Sequence, residues 1–465
     1  MVGTSSFFKR VRALLLLAPP CLGAAPVAVH ASDAEGARRP SFSWSGLHRA
    51  RYARLWNQHR PGLAGDDQVL ELRTALRASY ELGRITLVGD LQDARAYLTD
   101  EQSGVSTAIV NTVELVQGYV AIGKIDDERG TRVQAGQFLL ELGSGRLIAA
   151  EQYRNVARGF VGIMGESVSP ERGKLIGFAT LPMTTLPDDR DALLANRRRR
   201  DDADTDTTLL GAWWQLPWNG PSLSAEVYLY AFDESDDPRE RQTPDRRLTI
   251  SGLRIRRESR PTHWDFEIEL VRQTGSRRAS AAPSDERVLD IDAHFAHVAL
   301  GYTFAGRGSP RLAVEYERGS GDSDPGDGRW ERFDALYGNR RIDLAPTGIY
   351  GALGRENIVT WGVRASRALG DRADTFIAFR TLKLAAAADA FASTGVRDST
   401  GRSGRDAGAQ VDARYRHWLR PNVLRLEVGA TFLSRGDFFR TAPNANRQGD
   451  PLYVYSDVTY TFGSD

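Results

Sequence analysis

Over long stretches this chain alternates apolar and polar residues one for one, a period that only an extended strand converts into two different faces. Leu70, Leu72, Leu76, Ala78, Tyr80 and Leu82 interleave with Glu71, Arg73, Arg77, Ser79 and Glu81. Past a tight Leu82-Gly83-Arg84 junction, Ile85, Leu87, Gly89 and Leu91 oppose Thr86, Val88, Asp90 and Gln92. The pattern returns in Leu253/Ile255 against Arg254/Arg256, and in Trp264/Phe266/Ile268/Leu270 against Asp265/Glu267/Glu269. It recurs in Val314/Tyr316 against Glu315/Glu317, Ala413/Tyr415 against Asp412/Arg414/Arg416, and Leu424/Leu426/Val428 against Arg425/Glu427. No comparable amphipathic helix accompanies them. Alternation sustained from Leu70 to Leu82 exceeds the ~5–6 residues of an ordinary strand and suits the ~9–11 tilted residues that cross a bilayer.

The connections point the same way. Short junctions, Leu82-Gly83-Arg84 and Leu419-Arg420-Pro421-Asn422, alternate with long polar stretches at 187–206, 233–246, 273–286, 319–329 and 394–407. Short turns at one end and long loops at the other are the layout of an outer-membrane barrel. Closure satisfies every backbone hydrogen bond inside hydrocarbon. The last strand fits: Leu452, Val454, Val458, Tyr460 and Phe462 share one face, opposite Tyr453, Tyr455, Asp457, Thr459 and Thr461. The predicted fold is therefore all-β, an antiparallel transmembrane barrel with short periplasmic turns and long extracellular loops. Its length predicts about 16 to 20 strands, wide enough for a water-filled lumen.

The N-terminus sets the compartment. Lys9, Arg10 and Arg12 lead an apolar stretch from Ala13 to Ala18, a Pro19-Pro20 break and a small-residue zone ending Val29-His30-Ala31. This is the layout of a secretory signal peptide, so residues 1–31 are expected to be removed and 32–465 to form the barrel. The single cysteine, Cys21, falls in the leader, which leaves no disulfide framework and no multi-cysteine metal site in the mature chain. With 61 Lys+Arg against 60 Asp+Glu, the chain lacks the basic surplus of a nucleic-acid binder. No apolar run past the leader is long enough for a helical bilayer crossing.

Certain segments resemble a known family. Gln134-Ala135-Gly136-Gln137 leads through Gly143-Ser144-Gly145-Arg146-Leu147 to Arg154-Asn155-Val156-Ala157-Arg158. Further on come Tyr316-Glu317-Arg318-Gly319-Ser320-Gly321-Asp322, Arg332-Phe333-Asp334-Ala335-Leu336-Tyr337-Gly338 and Ala345-Pro346-Thr347-Gly348-Ile349-Tyr350. Gly436-Asp437-Phe438-Phe439-Arg440-Thr441-Ala442-Pro443 closes the series. In this order, across most of Gly46 to Phe462, they resemble the alginate-export family of outer-membrane porins. Gln134, where the family pattern has an arginine, and Ala157 and Gly159, in place of Thr and Asp, depart from it. The resemblance implies an 18-stranded barrel in the Gram-negative outer membrane. It further implies an Arg-rich pore passing an anionic polysaccharide such as alginate by diffusion.

Residue chemistry agrees with that implication. After the leader the only lysines are Lys124, Lys174 and Lys383; the remaining basic residues are arginines. A guanidinium is a planar, permanently charged fork matched to carboxylates. Parity places Arg73, Arg77, Arg254, Arg256, Arg364, Arg414, Arg416 and Arg425 in the lumen, with Glu71, Asp90, Glu267, Glu269, Glu315, Glu317, Asp412 and Glu427 beside them. The acids keep each site weak enough to release an anion. From the family-like segments, Arg95, Arg146, Arg154 and Arg158 are expected near the constriction, with Asp90 and Gln92 alongside.

Enzymatic readings find little support. No His-Glu-x-x-His and no Gly-x-Ser-x-Gly occurs; Asp290-x-Asp292-x-His294 reads as a lumen stripe and the two Gly-Ser-Gly segments as turns. Asp322-Ser323-Asp324-Pro325-Gly326-Asp327-Gly328 lacks the terminal bidentate Glu of a calcium loop and reads as a solvated acidic loop. The expectation is a channel without cofactor or metal, whose partners are outer-membrane lipid and the anionic substrate. Export would add a periplasmic partner; the alternatives are uptake of small organic acids or oligouronates, and an outer-membrane hydrolase.

Overall fold

The computed structural model describes residues 40–126, 128–150, 153–217, 222–236 and 242–464; the predicted leader lies outside them. In chain order the strands are β1 (Ser41–Trp56), β2 (Asp67–Leu82), β3 (Ile85–Tyr97), β4 (Asn111–Asp126), β5 (Arg129–Leu139), β6 (Gly159–Ser169), β7 (Gly173–Pro182), β8 (Thr207–Gln215) and β9 (Leu223–Glu234). They continue as β10 (Arg247–Arg257), β11 (Trp264–Arg278), β12 (Val288–Thr303), β13 (Arg311–Gly319), β14 (Arg329–Trp330), β15 (Ile358–Ala368), β16 (Ala373–Lys383), β17 (Asp406–Arg420), β18 (Leu424–Arg435) and β19 (Leu452–Gly463). Two single-turn helices, α1 (Arg190–Leu194) and α2 (Asp437–Thr441), sit in loops.

All belong to one 19-stranded sheet. The two-residue β14 lies parallel against β12, while β13 pairs directly with β15. The other 18 strands run antiparallel to their neighbours and close, β1 meeting β19 from Ser45↔Gly463 to Trp56↔Leu452. Among the described strands no edge of the barrel is left unpaired, the condition for a sheet surrounded by lipid.

The alternation resolves as the sequence predicts. Leu72, Leu76, Leu87, Leu91, Leu270, Val314, Val363 and Val458 point outward and are exposed. Their neighbours Glu71, Arg73, Gln92, Glu269, Asp412 and Asp457 point inward and are buried. At the end carrying the short turns, Trp264 packs on Tyr302 with ring centroids 5.1 Å apart, Tyr302 on Phe304 at 5.0 Å, and Tyr460 on Phe462 at 5.6 Å. Aromatic girdles of this kind mark the membrane interface.

Loop boundaries differ from the sequence reading in places. β11 continues to Arg278, so the connection predicted from 273 starts at 279. The stretch predicted at 319–329 is part of a longer connection, 320–357, interrupted only by β14. A loop at 140–158, read from sequence only as turn-like motifs, separates β5 from β6. The Asp290, Asp292 and His294 stripe, expected in the lumen, is exposed on the outer face, since Ile291, Ala293 and Phe295 fill the inward positions of β12. At this end of β12 the barrel rises above its apolar belt, where outward charge costs little.

Candidate functional site: the loop-lined constriction

The loops 140–158 and 320–357 turn into the barrel and pair with each other. The Tyr337 amide donates to Leu147 O (2.9 Å), that of Ala149 to Tyr337 O (3.2 Å) and that of Asn339 to Gly145 O (2.9 Å). Gly143 makes the inward fold feasible: its φ is +57° and a Cβ there would collide with Glu226 and the Trp213 indole. The partition is fastened to the wall. Asn155 donates to Leu72 O (3.1 Å) and Ile109 O (2.9 Å) and accepts from Arg49 (3.1 Å). On the far side Tyr350 donates to Gln410 (2.6 Å), and Arg341 to Asp412 (3.0 Å) and to the Tyr455 hydroxyl (2.7 Å).

Arg146 is the principal fastener. It is 3% exposed and bonds Asp343 through Nε (2.8 Å) and Nη2 (3.0 Å), and Glu269 through Nη1 (2.6 Å), with Glu267 as a further partner. Asp343 is also bound by Arg355 (2.6 Å), whose Nε lies 2.9 Å from Glu317, and Glu317 lies 3.4 Å from His297. Burial works against the Arg146 charge, yet Asp343, Glu267 and Glu269 hold its pKa well above the ordinary value. The expectation that Arg146 faces the permeant is thus corrected: it sits in the constriction loop, but carboxylates occupy its donors and it lines neither of the two cavities that flank the partition.

On the periplasmic side of this partition lies a cavity of about 400 Å³. Seven arginines and three carboxylates line it. Of the residues singled out in the sequence, Arg364, Arg414, Arg416 and Arg425 meet here. They come from β15, β17 and β18, where neighbouring strands bring inward positions side by side. Most have an acid behind them: Arg364 bonds Glu315 (2.8 Å), and Arg414 and Arg416 share Asp374 at 2.5 and 2.8 Å. Among the described residues Arg425 bonds only the Thr459 hydroxyl (3.4 Å), and it lies 5.8 Å over the Trp418 ring. Arg49 and Arg51 of β1 complete the wall, Arg51 bonding Asp457 (3.0 Å) and Glu71 (3.2 Å). The β1 pair went unnoticed in the sequence because the outward face of β1 carries His48, Tyr52 and Arg54, which blurs the alternation. Arg341, also on this cavity, belongs to a loop, where no strand period announces it.

The remaining predicted residues disperse. Arg73 is buried in the wall and donates to Arg154 O (3.4 Å); Arg77 reaches the Tyr119 hydroxyl (3.4 Å), and Asp90 accepts from Gln117 (3.0 Å). Gln92 meets the Ala157 amide at 3.4 Å. Arg254 bonds Glu226 (2.8 Å) and Glu267 (2.9 Å), and Arg256 bonds Glu258 (3.3 Å), on the opposite, acid-rich wall. Arg95 is a correction: Leu91, Asp93 and Arg95 share the outward parity of β3, and Arg95 pairs with Asp93 at 2.9 Å, each about a third exposed. It differs by an odd number of residues from Asp90 and Gln92, so it cannot share their face.

Arg154 and Arg158 line a second cavity of about 280 Å³ on the loop side, and Arg158 lies 4.8 Å over Tyr337. The Arg154 peptide separates the two spaces: its carbonyl accepts from Arg49 (2.7 Å), and Tyr153 before it lines the inner cavity.

Comparison with known proteins agrees with this architecture. Among solved structures, Pseudomonas aeruginosa OccK9 (OpdG) is similar with a TM-score of 0.58 at 13% identity, covering 91% of this chain and 98% of that one. Acinetobacter baumannii OccAB1 is similar at 0.55 and 12%, covering 91% and 97%. Pseudomonas aeruginosa OpdK, solved with vanillate, gives 0.54 and 13%, covering 91% and 99%. At such identities these likenesses establish the barrel alone. No curated protein sequence matches the chain. The sequence model of the family described as Alginate export matches residues 42–450. A closed barrel with an inward-folded, arginine-lined constriction and that match together mean that the chain belongs to the alginate-export family of outer-membrane channels.

Proposed function

We propose that this channel passes carboxylated saccharides, alginate among them, by diffusion past the arginine wall of the inner cavity. The observation that carries the reading is the lining itself, where seven arginines face three carboxylates. Guanidinium forks spaced along β15, β17, β18 and β1 replace part of the hydration of successive carboxylates. The acids behind them keep any one contact weak, which conduction requires. Tyr153 and Phe376, also on this cavity, hold guanidinium planes over their rings, Arg51 at 3.9 Å from Tyr153 and Arg364 and Arg414 each at 4.9 Å from Phe376, which keeps the forks in place.

A second reading, passage of small organic acids, is favoured by the size of the two cavities and by the likeness to OpdK, a barrel solved with vanillate. Current block in planar bilayers separates the two. Uronate oligomers of increasing length should block with rising affinity as more carboxylates engage the wall. Block that peaks at the monomer, with longer oligomers inert, would transfer the assignment to small acids.

A further inference from the structure

Along one line through the inner cavity, guanidiniums and aromatic rings alternate. Arg51 of β1 lies 3.9 Å from the centre of the Tyr153 ring, and Arg341 lies 5.1 Å from the same ring. Arg341 is in turn 5.5 Å from the Phe376 ring, and Arg364 and Arg414 are each 4.9 Å from it. All of these side chains line the one cavity. The series runs from β1 through the loops 140–158 and 320–357 to β15, β16 and β17.

Phe376 is the unexpected member. β16 turns Asp374, Phe376, Ala378 and Arg380 inward, so a ring stands between two charged positions of the same strand. Its register partners are Ser366 on β15 and Arg414 on β17, and the next inward position, Ala378, pairs with Arg364 and Asp412. The small side chains of Ser366 and Ala378 leave Arg364 room to reach the ring from its diagonal position.

The electron-rich face of a ring attracts a cation, so rings set between guanidiniums ease the repulsion of packing them closely. Acids hold the same forks from other directions. Arg364 uses Nε on Glu315 (2.8 Å) and Nη2 on the Asp343 carbonyl (2.8 Å). Arg341 uses Nη1 on Asp412 (3.0 Å) and Nη2 on the Tyr455 hydroxyl (2.7 Å), and Arg414 uses Nη2 on Asp374 (2.5 Å). A guanidinium carries five N–H donors, so each fork is fixed by an acid and a ring and still has donors for an anion in the cavity that it lines.

We infer that Phe376 is a positioning residue for permeant carboxylates: it gathers Arg341, Arg364 and Arg414 into one seat for a single sugar carboxylate. Tyr153 makes the equivalent link from Arg341 to Arg51, the next cation of the series. The inference rests on the conduction reading and deepens it. One arm of the seat, Arg341, belongs to the inward-folded loop, so the seat is complete while that loop is docked against the wall.

The test uses the full-length channel in planar bilayers, with D-glucuronate as the blocking anion and a KCl gradient to read selectivity. Phe376→Leu removes the ring and leaves every charge in place. The half-blocking concentration of glucuronate should rise about fivefold, the weight of one or two cation–π contacts. The zero-current potential should keep its anion-selective sign, and single-channel conductance in KCl should stay native. Phe376→Tyr, which keeps the ring, should be blocked as the native channel is. Should Phe376→Leu fail to insert, Phe376→Met carries the same expectation. An unaltered half-blocking concentration in the ringless channels, an equal loss in Phe376→Tyr, or no glucuronate block of an anion-selective native channel would overturn the seat while leaving the channel reading intact. A conductance change in Phe376→Leu that matches the loss of block would overturn it too, because it would reveal a purely structural ring. Cation-selective currents in the native protein would instead defeat the channel reading itself.

Discussion

Arg146 shows how strongly one side chain can decide whether this pore is narrow. Its guanidinium neutralises carboxylates that belong to both the barrel wall and the 320–357 loop, so its removal leaves Glu269 without an ion-pair partner among the described residues, and Glu267 and Asp343 with Arg254 and Arg355 alone. Breaking a buried ion network from one side costs about 3–5 kcal/mol. Arg146→Ala is therefore expected to release the partition, raising single-channel conductance and making loop 140–158 protease-sensitive while the barrel persists. An unchanged conductance would assign the narrowing elsewhere. Asp322 offers a pH-dependent counterpart. It is 3% exposed, its Oδ1 accepts no hydrogen bond, and burial followed by the charges of Asp389, Asp327 and Glu331 pushes its pKa up to about 6. The folded loop thus binds this proton more tightly than the unfolded chain. Its stability is greatest below pH 4 and declines as pH rises from about 4 to about 6, by at most about 1.4 kcal/mol per pH unit for one proton. Hydrogen exchange at 320–333, corrected for intrinsic rates, should slow on acidification through that window, and Asp322→Asn should abolish the dependence. The acidic run, read from the sequence as a solvated loop, is exposed from Ser323 to Gly328; Asp322 alone, at its start, is buried, because a loop that folds inward leaves no periodic signature.

At the scale of the strand, period two made most of the lumen readable. Arg364, Arg414, Arg416 and Arg425 could be placed on the inner face from their apolar neighbours alone, and the structure brings all four to one cavity. What the pattern could not supply was height along the barrel. Arg73, Arg77, Arg254 and Arg256 share the inward face but reach other partners, because height follows from register between strands distant in sequence. Near the extracellular rim it is the rule that charge faces inward that fails, since outward positions there bear charge without entering lipid. Arg95 with Asp93, and Arg272 with Asp292 at 3.2 Å, are such pairs. A paired comparison follows. Arg364→Gln with Arg414→Gln should lower the anion-to-cation permeability ratio severalfold, whereas Arg95→Gln should leave it unaltered. A comparable loss from Arg95→Gln would restore that residue to the lumen.

The whole molecule combines a readable wall with an unreadable plug. The barrel follows from alternation, turn placement and the closing strand, which is why fold and compartment could be stated from residues alone. The plug follows from contacts between segments far apart in the chain, as where Tyr337 meets Leu147 and Ala149, or Tyr350 meets Gln410, 60 positions on. Its apolar anchors, Ile349, Phe391, Phe438 and Phe439, pack with Leu55 and Val69 of the wall as one interior core. Such a core holds the loops in place beside the arginine-lined cavity, the candidate water path. Whether this path is aqueous and positively biased can be read from the zero-current potential of the purified channel across a KCl gradient. A potential of the sign for preferential chloride passage is expected, collapsing toward zero as salt screens the wall. A potential of the opposite sign at low salt, or no conductance at all, would contradict an arginine-biased water path.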